Sequence, residues 1–345
     1  MRALITGAAG FIGSHLVEHL LRNTDWELVL LDKLSYASSG LARLRDVQAF
    51  EQRKNRVSMF PTDISLPIPV MLEKEFGSID YILHLAAETH VDNSISDPRP
   101  FVMSNVVGTM EMLQFARRLN SGLKRFLYFS TDEVFGPAHN QMEFSEWDRY
   151  NSTNPYSASK AAGEELCLAW ANTYGIPMLI THCMNAFGER QHPEKFIPNT
   201  VRKLLRGETV KIHSNASRTT AGSRSYIHCR NIASGLQFLL EKIKDPPIGK
   251  LRDKYNITGE LEVDNLQLAM MIAALMETEL NKKFELRYEM VDFHGSRPGH
   301  DLRYALSGKK MEDLGWAPPK DFGESLQRTV RWMVNPKNIH WLFQE

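Results

Sequence analysis

Short apolar runs alternate with longer amphipathic stretches along the first 185 residues. The runs Ala3–Thr6, Glu27–Asp32, Val57–Pro61, Tyr81–Leu85, Phe126–Ser130 and Met178–His182 predict strands, and their content of Val, Ile and Leu suits burial on both faces. Between them, Phe11–Arg22, Val70–Phe76, Asn105–Leu119 and Ser157–Tyr174 have the length and spacing of helices. This βαβ rhythm predicts an α/β fold, a doubly wound parallel sheet of the Rossmann type. After about residue 185 the rhythm changes. Pro193, Pro198 and the polar stretch HSNASRTTAGSRS (213–225) interrupt it, and that stretch is expected to be an exposed loop or flap. The division that follows is a first domain over 1–185, with 226–243 returning to it. A smaller α/β unit takes 186–225 and 244–345.

Composition narrows the partners. The chain has 345 residues, 43% of them hydrophobic, and 41 basic residues balance 41 acidic ones. A chain-wide field for nucleic acid or for an anionic membrane surface is thereby excluded, and no apolar run reaches the roughly 18 residues of a membrane span. Cys167, Cys183 and Cys229 are too few and too scattered for a disulfide framework or a zinc site, so no metal is expected and a reducing, cytoplasmic setting fits. The N-terminus MRALITGAAGFIGSHLVEHLL superficially resembles a signal peptide, but its glycines fall at a functional spacing and it reads as structure. One segment breaks the balance. Residues 195–230 carry eight Lys or Arg against the single acid Glu208. Most of these suit a solvated face, while one or two arginines suit an anionic group such as a diphosphate.

The first strand runs into Gly7-Ala8-Ala9-Gly10-Phe11-Ile12-Gly13 and then a helix. Gly7 permits a tight turn, Gly10 lets the backbone approach a pyrophosphate, and Gly13 allows close helix–strand packing. The free N–H groups of the first helical turn, at Phe11 and Ile12, would face that anion. Asp32 ends the second strand, 19 residues beyond Gly13, where a carboxylate accepts from a ribose diol and repels a 2′-phosphate. NAD is therefore expected over NADP, although Lys33 beside it could receive such a phosphate. Asp63 and Ile64, after the third strand, sit where an adenine edge could be read, or where Asp63 is an ordinary turn residue.

Tyr156 and Lys160 form a YxxxK pair that a helix places on one face. A nearby ammonium favours phenolate and predicts a lowered Tyr156 pKa, towards that of a useful base. Ser130-Thr131 ends an apolar strand, and Thr131 can bond the hydroxyl that Tyr156 deprotonates. Together with the glycine fingerprint, this set suits hydride transfer between an alcohol and a nicotinamide.

Several long stretches carry a resemblance: GAAGFIGS, LDKLSYA, HLAAETHVDNSI, STDEVFG, NPYSASKAAGE, PEKFIP, YNITGE and RPGHDLRYA. On these the chain resembles the extended short-chain dehydrogenase/reductase superfamily and, within it, the nucleoside-diphosphate-sugar 4,6-dehydratases of deoxysugar biosynthesis, those of the dTDP-glucose type above all. The resemblance implies that Asp132 protonates a departing C6 hydroxyl and Glu133 removes the C5 proton, beside Thr131, Tyr156 and Lys160. A turn-capping role for the two carboxylates is the plainer alternative. It further implies Ala86 and Ala87 along the nicotinamide, and Glu88 and His90 near the sugar hydroxyls. Asn105 either braces the active-site strand or is a plain buried amide. Asn185, Glu194, Lys195, Arg224, Asn256 and Arg297 would grip the diphosphate and sugar, with His300 and Tyr304 in the closing segment. The chain departs from the family's Asn-Tyr-Gly-Pro at Ala186-Phe187-Gly188-Glu189, and from its Gly-Asp-Gly turn within 213–225. Relatives sharing only the redox step, epimerases or decarboxylases, are the alternative reading, and a non-catalytic NAD-binding regulator a remoter one. The superfamily also implies a homodimer through the 105–119 and 157–174 helices, whose Met110, Leu113, Phe115, Leu166, Leu168 and Trp170 are expected to exceed one sheet-facing stripe.

Overall fold

The computed structural model describes residues 1–35, 38–119, 122–139, 141–243, 252–259, 261–292 and 303–343. Seven parallel strands form the central sheet in the order β10-β6-β5-β4-β1-β2-β3. They are β1 (Arg2–Thr6), β2 (Glu27–Asp32), β3 (Val57–Pro61), β4 (Tyr81–His84), β5 (Arg125–Thr131), β6 (Met178–Cys183) and β10 (Arg252–Ile257). Successive side chains of a strand point to opposite faces, and the two cores follow that alternation. Ala3, Ile5, Leu28, Leu30, Leu83 and Leu127 face α1 (Phe11–Asn23) and α6 (Cys229–Lys242). Leu4, Val29, Leu31, Ile82, Phe126 and Tyr128 face α2 (Val70–Phe76), α3 (Gly108–Leu119) and α4 (Pro155–Tyr174).

The chain leaves β1 towards β2 and β3, then returns to build β4, β5 and β6 on its other side. Ligands of open α/β sheets bind outside the carboxyl ends of the strands at such a reversal. The strand β10 lies beyond the boundary expected at residue 244. It joins the main sheet because β6 would otherwise present an unpaired edge in the core, and Tyr255 and Ile257 pack into the α1/α6 layer.

A second layer follows β6. The strands β7 (Asn185–Phe187), β9 (Ser223–His228) and β11 (Leu261–Asp264) form one small sheet, and β8 (Val210–Ser214) pairs with β12 (Tyr288–Asp292). Helices α5 (Phe196–Arg206), α7 (Asn265–Leu280) and α8 (Phe322–Val334) close a separate core through Val201, Ile272 and Val330. Residues 216–220 are exposed, as expected, but the stretch 213–225 is not all loop. It contains the end of β8 and the start of β9, and Asn215 closes the turn between them, its Oδ1 accepting from the backbone N–H of Thr219 and Thr220. Among the described residues no helix is long and apolar enough to cross a membrane.

Candidate active site

One cavity of about 390 Å³ opens at the carboxyl ends of the sheet, between the main sheet and the second layer. Its floor begins at the glycine turn. Gly7 has φ +69°, and a Cβ on it would lie 2.8 Å from Ala86 Cα. A Cβ on Gly13 would lie 2.1 Å from the Gly7 carbonyl oxygen, so helix α1 reaches the strand only because that Cβ is missing. Gly10 begins α1 without a side-chain cap, and Gly10, Phe11, Ile12 and Gly13 line the cavity. An uncapped helix start leaves its first N–H groups free for an anion, and these residues fit a dinucleotide pyrophosphate.

Asp32, at the end of β2, is 7% exposed and accepts from the backbone N–H of Ala9 at 3.0 Å and of Leu34 at 2.8 Å. Burial raises its pKa, against the pull of these donors. Lys33 turns its ammonium to Glu88 across the cavity, at 2.5 Å, and to Ser104 at 3.3 Å. Asp63 accepts from Ser65 N–H and Oγ and does not line the cavity, whereas its neighbour Ile64 does. Asp63 thus makes the hydrogen bonds of a turn residue, between Thr62 and Ile64, which both line the cavity. Ala86 and Ala87 line the wall beyond β4, with Ala86 N–H donating to Thr6 Oγ1.

The chemistry-bearing groups converge from two elements. At the end of β5, Thr131 Oγ1 donates to Asp132 Oδ1 at 3.0 Å and accepts from Glu133 N–H. Asp132 is 5% exposed, and its Oδ2 is buried without a hydrogen-bond partner. Burial, then the adjacent Glu133 charge, pushes its carboxyl up to about 7. From the other side comes α4, started by a capping box in which Asn154 Oδ1 accepts from Ser157 N–H, with Pro155 at the first helical position. The same Asn154 donates through Nδ2 to Glu133 Oε2 at 3.1 Å, so one side chain both starts the helix and holds the carboxylate. Sequence reasoning missed Asn154. Its signal was an amide residue directly before Pro-Tyr.

Tyr156 and Lys160 follow on α4, and both line the cavity. The expected lowering of the Tyr156 pKa is not what this structure holds. Burial, then the Glu133 charge, raises its phenol above the usual value, with a Thr131 hydrogen bond in opposition. Lys160 donates to the Phe129 carbonyl at 2.7 Å and sits over the Tyr128 ring at 4.3 Å. Burial lowers its ammonium to about 8. Ser130, beside Thr131, turns its Oγ inward to Glu164, four residues past Lys160. Asn105 lies in a π-helical turn (Met103–Val107) that precedes α3 in place of the regular helix expected there. It clamps the Glu88 backbone, accepting from its N–H at 2.9 Å and donating to its carbonyl at 3.0 Å, and reaches Ser159 Oγ on α4 at 2.8 Å.

On the second-layer side, Asn185, Glu194 and Lys195 line the cavity, and so do Gln191 and His192, which the sequence did not single out. Glu194 stands 3.5 Å from His90, 3.5 Å from His192 and 3.3 Å from Lys195. His90 caps the helix Val91–Ser96 and lies beside the cavity lining, through Glu194. Of the eight cations between 195 and 230, Lys195 alone lines the cavity. Arg224 stacks on Tyr304 at 4.8 Å and donates to the Ser223 carbonyl. Asn256 is corrected. It is fully buried behind the site, where its Oδ1 meets His182 Nδ1 and its Nδ2 donates to the carbonyls of Phe144 and Ser307, so it is a core amide and not a ligand. Arg297 and His300 lie outside the described residues.

Comparison with known proteins gives a consistent setting. A sequence profile of the family described as GDP-mannose 4,6 dehydratase matches residues 4–329. The dTDP-glucose 4,6-dehydratase of Salmonella typhimurium is 35% identical, over 99% of this chain and 94% of that protein. The crystal structure of the dTDP-glucose 4,6-dehydratase of Streptomyces venezuelae, with NAD bound, superposes with a TM-score of 0.81 at 34% identity, covering 99% of this chain and 98% of that one. A UDP-glucuronic acid 4-epimerase of Bacillus cereus, with NAD and UDP-glucuronic acid, is more distant at 25% identity, with a TM-score of 0.80 over 96% and 98%.

Proposed function

We propose, for a chain that belongs to the GDP-mannose 4,6 dehydratase family, that its substrate is a thymidine-diphosphate hexose of the dTDP-glucose type and that the residues at the ends of β5 and α4 divide the reaction between them. The chain is an NAD-dependent nucleotide-sugar 4,6-dehydratase, a lyase of deoxysugar biosynthesis. The sugar is oxidised at C4, loses water across C5 and C6, and regains hydride at C6. NAD, when bound, would supply the hydride acceptor for C4 and the hydride donor for C6.

The observation that carries this reading is the adjacent pair Asp132 and Glu133, opening on the same cavity as Tyr156 and Lys160. Elimination needs a proton taken at C5 and one delivered at C6. Asp132, with its carboxyl pushed up to about 7 and one oxygen unpartnered, is suited to deliver it. Glu133, held by Asn154, is suited to take it. Tyr156 accepts the C4 hydroxyl proton, with Thr131 positioned between phenol and acid. Burial holds Tyr156 as a phenol, and Lys160, four residues on along the same helix, is a charge on this chain that can assist its ionisation.

Gly7 to Gly13, Asp32, Ile64, Ala86 and Ala87 form the cofactor side in this reading. Glu88, Asn185, Glu194 and Lys195 form the sugar-nucleotide side, with the division of the chain near residue 185 supported by the change from the seven-stranded sheet to the small one. A cytoplasmic setting agrees with three unpaired, buried cysteines. A homodimer is supported by the half-buried Met110, Leu166 and Trp170 on the outer faces of α3 and α4.

The test is incubation of the purified protein with dTDP-, UDP-, GDP- and CDP-hexoses, with products weighed. Loss of one water from dTDP-glucose is expected. Loss of water from another sugar nucleotide alone would reassign the base, and epimer formation without loss of mass would favour the epimerase reading.

A further inference from the structure

Between β7 and α5 the segment Gly188–Lys195 crosses the cavity like a strap, and its Gln191, His192, Glu194 and Lys195 form part of the wall. This strap contains the place where the chain departs from the family's Asn-Tyr-Gly-Pro, with Glu189 in the proline position. The Glu189 side chain is only 5% exposed and does not line the cavity. Its Oε1 accepts from Arg328 Nε of α8 at 2.7 Å, its Oε2 accepts from His228 Nε2 at the start of α6 at 3.1 Å, and Arg230 stands 3.7 Å off. The Glu189 carbonyl accepts from His15 Nε2 at 2.9 Å.

His15 is on α1, two residues past Gly13, and its ring meets Phe11 edge-on at 5.5 Å, so the strap is tied to the helix that begins the cofactor floor. The next residue adds a second tie. Arg190 has φ +66°, unusual for a residue with a side chain. Its carbonyl accepts from Arg43 Nε at 2.9 Å and its guanidinium pairs with Asp46 at 3.1 Å and with Glu18 of α1 at 3.3 Å.

The hydrogen bonds fix the charges in this hub. His228 Nδ1 accepts from Arg230 N–H while its Nε2 donates, and His15 Nδ1 faces the Arg190 guanidinium while its Nε2 donates. Both imidazoles are therefore neutral, as their burial also favours. That leaves Glu189 as the carboxylate facing Arg230 and Arg328, while Glu18 and Asp46 answer Arg190. Removing its charge would take from Arg230 and Arg328 the carboxylate that they both face.

We infer that Glu189 is a positioning residue that latches the strap to α1, the helix that begins the cofactor floor, and so sets how slowly NAD leaves. The inference rests on the NAD-dependent dehydratase reading. Such a latch suits that reaction, because hydride returns to the sugar in every turnover and the dinucleotide has no need to exchange.

The test uses the protein as purified and two variants, Glu189→Gln and Arg328→Gln, the latter at a side chain that is 60% exposed. Each is passed through repeated gel filtration and the retained dinucleotide is measured, alongside kcat with NAD added to saturation. Glu189→Gln is expected to release NAD about tenfold faster or more, and Arg328→Gln to a lesser degree, with kcat at saturating NAD close to that of the parent. Glu189→Asp should recover part of the retention. If both variants keep NAD as the parent does, or if kcat falls with retention unchanged, Glu189 is structural and the latch is wrong. If the parent itself retains no dinucleotide and needs none for activity, the reading beneath it fails instead.

Discussion

Asp132 shows at the scale of one residue how the site is charged. Its carboxyl holds a proton up to about 7, because burial and the Glu133 charge oppose ionisation, whereas the same group in the unfolded chain ionises near 3.8. The folded state therefore binds more protons across that interval, and folding stability falls as pH rises from 4 to 7 and stays lowered above it. Asp132→Asn should raise stability at pH 8 by ~2–4 kcal/mol, with little change at pH 4, while abolishing elimination. Urea denaturation at the two pH values checks it, and equal effects at both would refute the account of the charge. Tyr156 and Lys160 stood out in the sequence because their spacing puts both on one helix face, whereas Asp132 and Glu133 stood out through the family resemblance of the STDEVFG stretch. Asn256 was misread: its fate depends on His182, Phe144 and Ser307, which only the folded sheet brings beside it. The Tyr156 shift was misread for a related reason. Helical spacing places Lys160 on the right face, but does not reveal the Phe129 carbonyl that accepts its hydrogen bond, nor the depth at which Tyr156 is buried.

Among the elements, α4 does most of the positioning, and it does so by packing closely on the turn that holds Asn105. Gly163 is the point of contact. A Cβ there would lie 2.3 Å from Tyr128 Oη and 2.9 Å from the Asn105 carbonyl. Gly163→Ala is expected to cost about 1–3 kcal/mol through overpacking and to lower kcat by moving Tyr156 and Lys160 relative to β5. Denaturation and kinetics on the same preparation measure both, and an unchanged kcat would show that the helix is free to shift without consequence. The strands and long helices of the first 185 residues were legible because their apolar periods are regular. The π-helical turn at Met103–Val107 was hidden inside an apparently continuous helix. The turn closed by Asn215 was hidden in polar composition, and β10 carries too little apolar pattern to be told from a loop.

For the whole molecule, the open question is what covers the outer side of α3 and α4. The side chains expected there divide. Leu113, Phe115 and Leu168 are buried under the sheet and belong to its core, a correction to the expected second stripe. Met110, Leu166 and Trp170 are half-buried, and Val102 and Met103 just before α3 and Tyr174 at the end of α4 are exposed at 47%, 46% and 43%. Two copies pairing through this face would form a four-helix contact, and sedimentation at micromolar concentration should give the mass of a dimer. Charge substitution at Met103 should shift the mass towards a monomer, and a monomeric parent would refute the contact. The division of labour in the cavity, however, is the central claim. It is tested most directly by mixing Glu133→Gln with dTDP-glucose and following reduced-nicotinamide absorbance alongside product. The account predicts that absorbance builds up while the 4-keto-6-deoxy sugar forms roughly 10²–10⁴-fold more slowly than in the parent. Normal turnover by Glu133→Gln, with no build-up, would contradict it.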